Sequence, residues 1–337
     1  MWQRVRGHDQ AVERFRGSLR AGRLASTYLL VGPSGVGKRT FANAVAKAML
    51  CTRTADSQLE SCGECDACRL FAAENHPDFD IVQLPEGKRS LPVELFIGDR
   101  EHRNRAGLCH SLSLKPQLSN RRVAVIDDAD RLTVESSNAL LKTLEEPPEG
   151  ALLLLLATSR ARLLTTILSR CQVVRFDLLP PQEVAAVLIE HQAAATPEEA
   201  AELARLSGGS VETAMMMADG EVATARAVFL DSLSSDSAPS SPRLAAEMNG
   251  FLDGAGKETA RRRNRLRVLL VAATEHFGTM LRASSAHGDA ASQEAALECL
   301  DATLSAEDYL DRNSNLNTLV DWWADRLAAP MNRSRAG

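Results

Sequence analysis

The 337-residue chain has room for two or three domains, and its 45% hydrophobic and 25% charged residues are those of an ordinary globular protein. Aromatic residues make up only 4%, so Leu, Val and Ala must build the core. The net charge of −5 excludes a surface that is basic overall and confines any DNA contact to a local patch or to partners.

The opening MWQRVRGHDQ has no apolar core, which predicts no secretory signal and a cytoplasmic protein. Five short apolar runs then read as strands: Tyr28–Val31, Asp80–Leu84, Arg122–Asp127, Leu152–Ala157 and Val173–Phe176. Several are apolar on consecutive residues, as parallel strands covered on both faces should be. Helical patterns lie between them: Thr40–Met49 follows the first run, and Val134–Leu144 follows the third and stops at Pro147-Pro148. This alternation predicts a doubly wound α/β domain ending near residue 178. The longest apolar run, Ala151–Ala157, is far too short to cross a bilayer, so no membrane partner is expected. Beyond Pro180-Pro181 the strands vanish. Residues 182–219 read as two or three short helices broken at Gly208-Gly209, Ser232–Pro242 as a linker, and 243–328 as an all-helical domain.

Gly32-Pro-Ser-Gly-Val-Gly37-Lys38 fits G-x-x-x-x-G-K between a predicted strand and helix. Gly32, Gly35 and Gly37, with Val36 between them, let backbone N–H groups converge on phosphate oxygens at a helix N-terminus, and Lys38 reaches the terminal phosphates. A Gly-rich turn with a stray lysine is the bland alternative. The motif wants Ser or Thr next, to place a hydroxyl on Mg²⁺, but this chain has Arg39, with Thr40 one position late. One helical residue is a rotation of about 100°, and a guanidinium cannot ligate a cation, so the loop is expected to hold nucleotide and handle Mg²⁺ poorly. The third strand ends in Asp127-Asp128-Ala-Asp130. Asp127 is the candidate for Mg²⁺ or its water shell, and Asp128 stands where a longer Glu would polarise attacking water. A solvated acidic turn is the competing reading.

Four of the seven cysteines fall within 18 residues, as Cys51, Cys62, Cys65 and Cys68. Four thiolates around tetrahedral Zn²⁺ make a closed structural site with no position for water. A redox C-x-x-C pair leaves two cysteines unaccounted for, and plain burial does not account for the spacing. The module interrupts the fold between the first helix and the second strand, so it is an insertion. His76 is near but unnecessary to a four-sulfur shell.

In chain order, the phosphate loop, the cysteine quartet, His76-Pro77-Asp78, Asp127–Asp130, Leu140-Leu-Lys-Thr-Leu-Glu-Glu-Pro-Pro148, Thr158 and Ser169-Arg170-Cys171 are similar to the bacterial clamp-loader AAA+ subunits, tau/gamma and delta-prime. The likeness covers residues 2–219, and the remainder resembles the family's collar only through Asn313-Ser-Asn-Leu-Asn317. The resemblance implies an AAA+ domain over 1–178 with a zinc module at 51–77, a helical lid over 179–231, a linker at 232–242 and a collar over 243–330. It implies a five-membered ring with tau/gamma and delta that loads the sliding clamp onto primed DNA, binding ATP or ADP. Arg170 matches an arginine finger reaching a neighbour's ATP, and Thr158 matches the γ-phosphate sensor. The hydrolysing sisters carry Ser/Thr, Glu and Arg where this chain has Arg39, Asp128 and Glu212. That asymmetry resembles the delta-prime kind, a subunit at most weakly active as an ATPase and not itself a polymerase. A tau/gamma-type subunit is the alternative within the family. A nucleotide kinase would need a substrate lid that the all-helical tail does not suggest, and an empty scaffold would not need an intact loop. The basic run Arg261-Arg-Arg263, Arg265 and Arg267 reads first as a solvated helix face, and second as a DNA or partner contact.

Overall fold

The computed structural model describes residues 2, 5–235, 240–256, 259–312 and 314–336. Residues 236–239 of the predicted linker, and Asn313, lie outside them. The chain forms two compact units, Met1–Leu179 and Pro180–Gly337.

In the first unit, the elements run α1 (Asp9–Arg20), β1 (Thr27–Val31), α2 (Lys38–Leu50), α3 (Asp66–Ala72), β2 (Phe79–Val82), α4 (Glu94–Ile97), α5 (Leu108–Ser113), β3 (Arg122–Ile126), α6 (Val134–Glu145), β4 (Ala151–Ala157), α7 (Thr165–Leu168) and β5 (Gln172–Arg175). The five strands form one parallel sheet in the order β2-β3-β4-β1-β5. Their consecutive apolar residues are explained by helices on both faces. Leu30, Val123, Val125 and Leu154 pack with Phe15 of α1 and Phe41, Val45 and Met49 of α2. Their strand neighbours Leu29, Ala124, Ile126 and Leu155 pack on the other face with Leu112, Leu140 and Ile167. Each fully buried Leu contributes roughly 1.5–3 kcal/mol by leaving water. This strand order sets the ends of β3, β4 and β1 side by side at the carboxyl edge, where α/β sheets bind ligands.

In the second unit, α8 (Pro181–Glu190), α9 (Pro197–Leu206) and α10 (Val211–Met217) precede α11 (Gly220–Ser234), α12 (Ser241–Asp253), α13 (Thr259–His287), α14 (Ala290–Asp311) and α15 (Leu316–Ala336). Trp323 sits fully buried in a core with Phe229, Leu266, Phe277 and Leu327. Ser232–Ser234 complete α11 although their composition reads as linker, because Leu233 is buried in that same core. The arginine run ties helices together. Arg262 pairs with Asp253 at 2.8 Å, Arg263 donates to the carbonyl oxygens of Leu310 and Ser314, and Arg265 donates to that of Phe251. Asn315 accepts from the Thr318 N–H and caps α15. Among the described residues, no helix is long and apolar enough to cross a membrane.

Candidate functional site

The phosphate loop joins β1 to α2, and two of its glycines are dictated by geometry. A Cβ on Gly32 would meet the Phe176 carbonyl oxygen at 2.0 Å, because the chain leaving β5 passes against the loop. Gly37 caps α2 at φ 94°, a conformation that side chains rarely adopt. Val36 is fully buried beneath the loop. Lys38 extends its ammonium over the loop, donating to the carbonyl oxygens of Gly32 and Pro33 at 2.7 and 2.5 Å.

The acidic end of β3 lies across from this loop. Arg39 Nη1 donates to Asp127 Oδ2 at 3.1 Å, joining the first turn of α2 to the strand end. Thr40 is exposed one residue further on. Asp128 adopts a left-handed conformation at φ 51°, with its carboxylate 3.9 Å from Arg131 Nε. Burial, reinforced by Asp127 and Asp130, raises its carboxyl above the usual range, against the pull of Arg131 and Lys38. Thr158, at the end of β4, donates its hydroxyl to Asp130 Oδ2 at 2.7 Å and its N–H to Oδ1 at 3.3 Å. Arg162 reaches the same Asp130 carboxylate at 3.3 Å. The structure thus brings Lys38, Arg39, Asp127, Asp128 and Thr158 to one edge of the sheet.

Arg170 follows α7, on another part of that unit's surface chemistry. Its guanidinium pairs with Glu145 Oε1 at 2.7 Å and donates to the Thr166 carbonyl and the Ser169 hydroxyl. Glu145 is the first glutamate of the Leu-Glu-Glu-Pro-Pro segment, so the two most distinctive motifs in the sequence meet in one ion pair.

At the far end of α2, Cys51 is the C-cap, and Cys65 caps α3 by accepting the Cys68 N–H. The four sulfurs lie within 4.8 Å of one another, with Cys51 at 3.6 Å from Cys62 and 3.9 Å from Cys65. Sulfurs 2.3 Å from a central Zn²⁺ stand about 3.8 Å apart, so the residues fit that ion. Burial opposes ionisation of Cys51, yet the Cys62 N–H and Thr54 hydroxyl bring its thiol down to about 5. Burial, and then the neighbouring Cys65 and Cys51, push Cys68 up to about 12. Thiolates packed this closely repel one another unless a cation lies between them. His76 is occupied otherwise: its ring accepts the Asp78 N–H through Nδ1 and meets the Ser119 hydroxyl through Nε2 at 3.2 Å.

The family model described as DNA polymerase III, delta subunit, matches residues 7–180. The chain belongs to the DNA polymerase III delta-prime family. It is 39% identical over 197 residues to the DNA polymerase III subunit delta' of Pseudomonas aeruginosa, covering 57% of this chain and 56% of that protein. It is 32% identical over 210 residues to the subunit delta' of Bacillus subtilis, covering 62% and 59%. The subunit tau of Escherichia coli is 30% identical over 258 residues, covering 73% of this chain and 38% of tau. The chain therefore spans a little over half the length of the delta-prime relatives it matches.

His8 escaped the sequence reading, and Asp130 and Glu145 were read there without their partners. Buried His8 donates from Nε2 to the Val36 carbonyl at 2.7 Å and packs edge-on against Phe176, bracing the phosphate loop from below. The accepting carbonyl requires the proton on Nε2, and burial lowers the imidazole pKa, so the ring stays neutral. Asp130 gathers Thr158 and Arg162, and Glu145 holds Arg170. Each acts across a long stretch of chain, and only the motif acids Asp130 and Glu145 carried any local signal.

Proposed function

We propose that this chain is a clamp-loader subunit of the delta-prime kind, which holds adenine nucleotide without turning it over and lends Arg170 to a neighbouring ATP site. In this reading, residues 1–178 form the nucleotide-binding domain, 179–231 a lid and 243–330 a collar. The chain assembles with tau/gamma and delta subunits in a cytoplasmic ring that loads the sliding clamp onto primed DNA. Cys51, Cys62, Cys65 and Cys68 hold one structural Zn²⁺, whose closed sulfur shell staples the 51–77 insertion and supplies no catalysis.

The contrast between two arginines supports this reading. Arg39 is engaged with Asp127 inside the chain's own phosphate corner. Arg170 stands one-third exposed, fastened to Glu145 and to the Thr166 carbonyl and Ser169 hydroxyl of its own loop. A guanidinium presented in trans offsets the charge that develops on a transferred phosphoryl group, and its planar fork suits the task better than an ammonium.

Arg170→Ala in the assembled loader tests the reading. The variant is expected to fold, assemble and bind its own nucleotide unchanged. The one ATP site that borrows Arg170 should lose about 10³–10⁵ in turnover, and Arg170→Lys should recover little. Lys38→Ala should leave loader turnover intact. The reverse pattern, or brisk ATP hydrolysis by the isolated chain, would make it a motor of the tau/gamma kind.

A further inference from the structure

We propose that the Arg39 guanidinium takes the place of the divalent cation at the phosphate loop, so that this chain binds nucleoside triphosphate as the metal-free anion. The inference rests on the nucleotide-binding reading above and sharpens what that site recognises.

In a phosphate loop that uses Mg²⁺, the hydroxyl after the lysine and the aspartate at the neighbouring strand end reach the ion from two sides. Here, Arg39 and Asp127 meet each other directly at 3.1 Å. Mg²⁺ demands near-octahedral oxygen ligands at about 2.0–2.1 Å and gives up its waters reluctantly. Asp127 Oδ2 is already spent on a charge-assisted hydrogen bond, and the fixed positive charge beside it repels a dication. Asp127 Oδ1 already accepts the Asp128 N–H at 3.1 Å. Thr40 is rotated about 100° around α2 from residue 39. Asp128 is turned in its left-handed conformation toward Arg131. Asp130, 3% exposed, is taken by Thr158 and Arg162. These residues do not fit Mg²⁺.

They do fit an anion. Lys38 and Arg39 place two cations at the first turn of α2, where Gly35 and Gly37 open the backbone with φ of 74° and 94°. A guanidinium has five N–H donors, so one can remain on Asp127 while others face phosphate oxygens. The carboxylate then orients the fork rather than exhausting it, and Asp127 acts as a positioning residue. Metal-free triphosphate carries more negative charge than its Mg²⁺ complex and suits this corner better.

Titration calorimetry of the full-length chain with ATP, in EDTA and in excess Mg²⁺, tests the proposal. Affinity in EDTA should equal or exceed that in Mg²⁺ by up to about tenfold. Arg39→Thr should reverse the preference, with Mg²⁺ strengthening binding by roughly tenfold. Adding Asp127→Asn to Arg39→Thr should remove that gain, because the ion's carboxylate is gone. Arg39→Lys should stay insensitive to chelation. Circular dichroism checks that each variant is folded, and Arg39 is half exposed, so the fold should tolerate the changes. Binding by the unmodified chain only in the presence of Mg²⁺ would overturn this inference while leaving the nucleotide-binding reading intact. Binding in neither condition would overturn both.

Discussion

The thirteen residues of α2 separate the phosphate corner from the cysteine knot by about 20 Å, and the two ends meet positive charge in opposite ways. At the C-terminal end, four sulfurs crowd together with their thiols spread from about 5 at Cys51 to about 12 at Cys68. That arrangement fits a cation from outside. At the N-terminal end the positive charge is built into the chain, as Lys38 and Arg39, and Arg39 is already matched to Asp127. The helix dipole favours a phosphate anion at its start and a cation at its end, but it opposes the built-in charges of Lys38 and Arg39, and Asp127 offsets the second of these. The comparison teaches that a motif announces a class of site, while the pairing of its side chains sets the charge that the site presents.

The largest effect that could break this comparison is expected at the knot. Cys65→Ser should drop bound zinc well below one per chain and cost on the order of several kcal/mol in stability. Hydrogen exchange should then show lost protection across residues 51–77, with the phosphate loop still protected. A variant that keeps its zinc and its protection would mean that four ligands are not required at this end.

A smaller effect belongs to the clasp beside the knot. Asp78 accepts N–H groups from Gln117, Leu118 and Ser119 at 2.6, 2.8 and 2.8 Å, fastening the loop before β3 to the start of β2. Burial works against the charged form, but these three bonds hold its carboxyl below the usual range. Its contribution is therefore complete above the ordinary aspartate value near 4, and it fades as pH falls through the lower folded value. Asp78→Asn should cost about 1–3 kcal/mol at pH 7 in chemical denaturation, and the gap to the parent should narrow as pH falls below the ordinary aspartate value. A gap that is constant with pH would remove the carboxylate from the explanation.

The smallest effect sharpens the phosphate end. His8 faces Val36 and Phe176, with Asp9, Asp177 and Lys38 nearby, and burial holds it neutral. The unfolded chain takes up a proton below about pH 6.5 that folded His8 refuses, so stability from this residue is present above that value and declines below it. His8→Gln keeps a neutral donor and should flatten the decline between pH 7.5 and 5.5. Identical slopes for variant and parent would show that the brace does not titrate in this range.

Much of the fold was legible because its signals are local. Each strand was anticipated to within two residues of its ends, since an apolar run of that length, flanked by helical patterns, has few other uses. Composition misled at Ser232–Ser234, where three linker-like residues stay helical around buried Leu233. The arginine run at 261–267 reads from its spacing first as a solvated helix face. Arg262, Arg263 and Arg265 instead hold neighbouring helices. The candidate site was legible as a set of residues, but not as a set of pairs.

The sequence by itself determined the residue types and where they fall on strands and helices: a glycine loop entering α2, acids leaving β3, four cysteines at metal spacing, and an arginine after α7. Those choices follow from neighbours within a few residues, where backbone geometry and apolar periodicity act. Only the tertiary structure decided that Arg39 meets Asp127 across 88 residues, that Arg170 meets Glu145 across 25, and that His8 supports Val36 across 28. The parallel sheet brings those partners together by setting strands distant in sequence side by side, and no local pattern encodes which charge will find which.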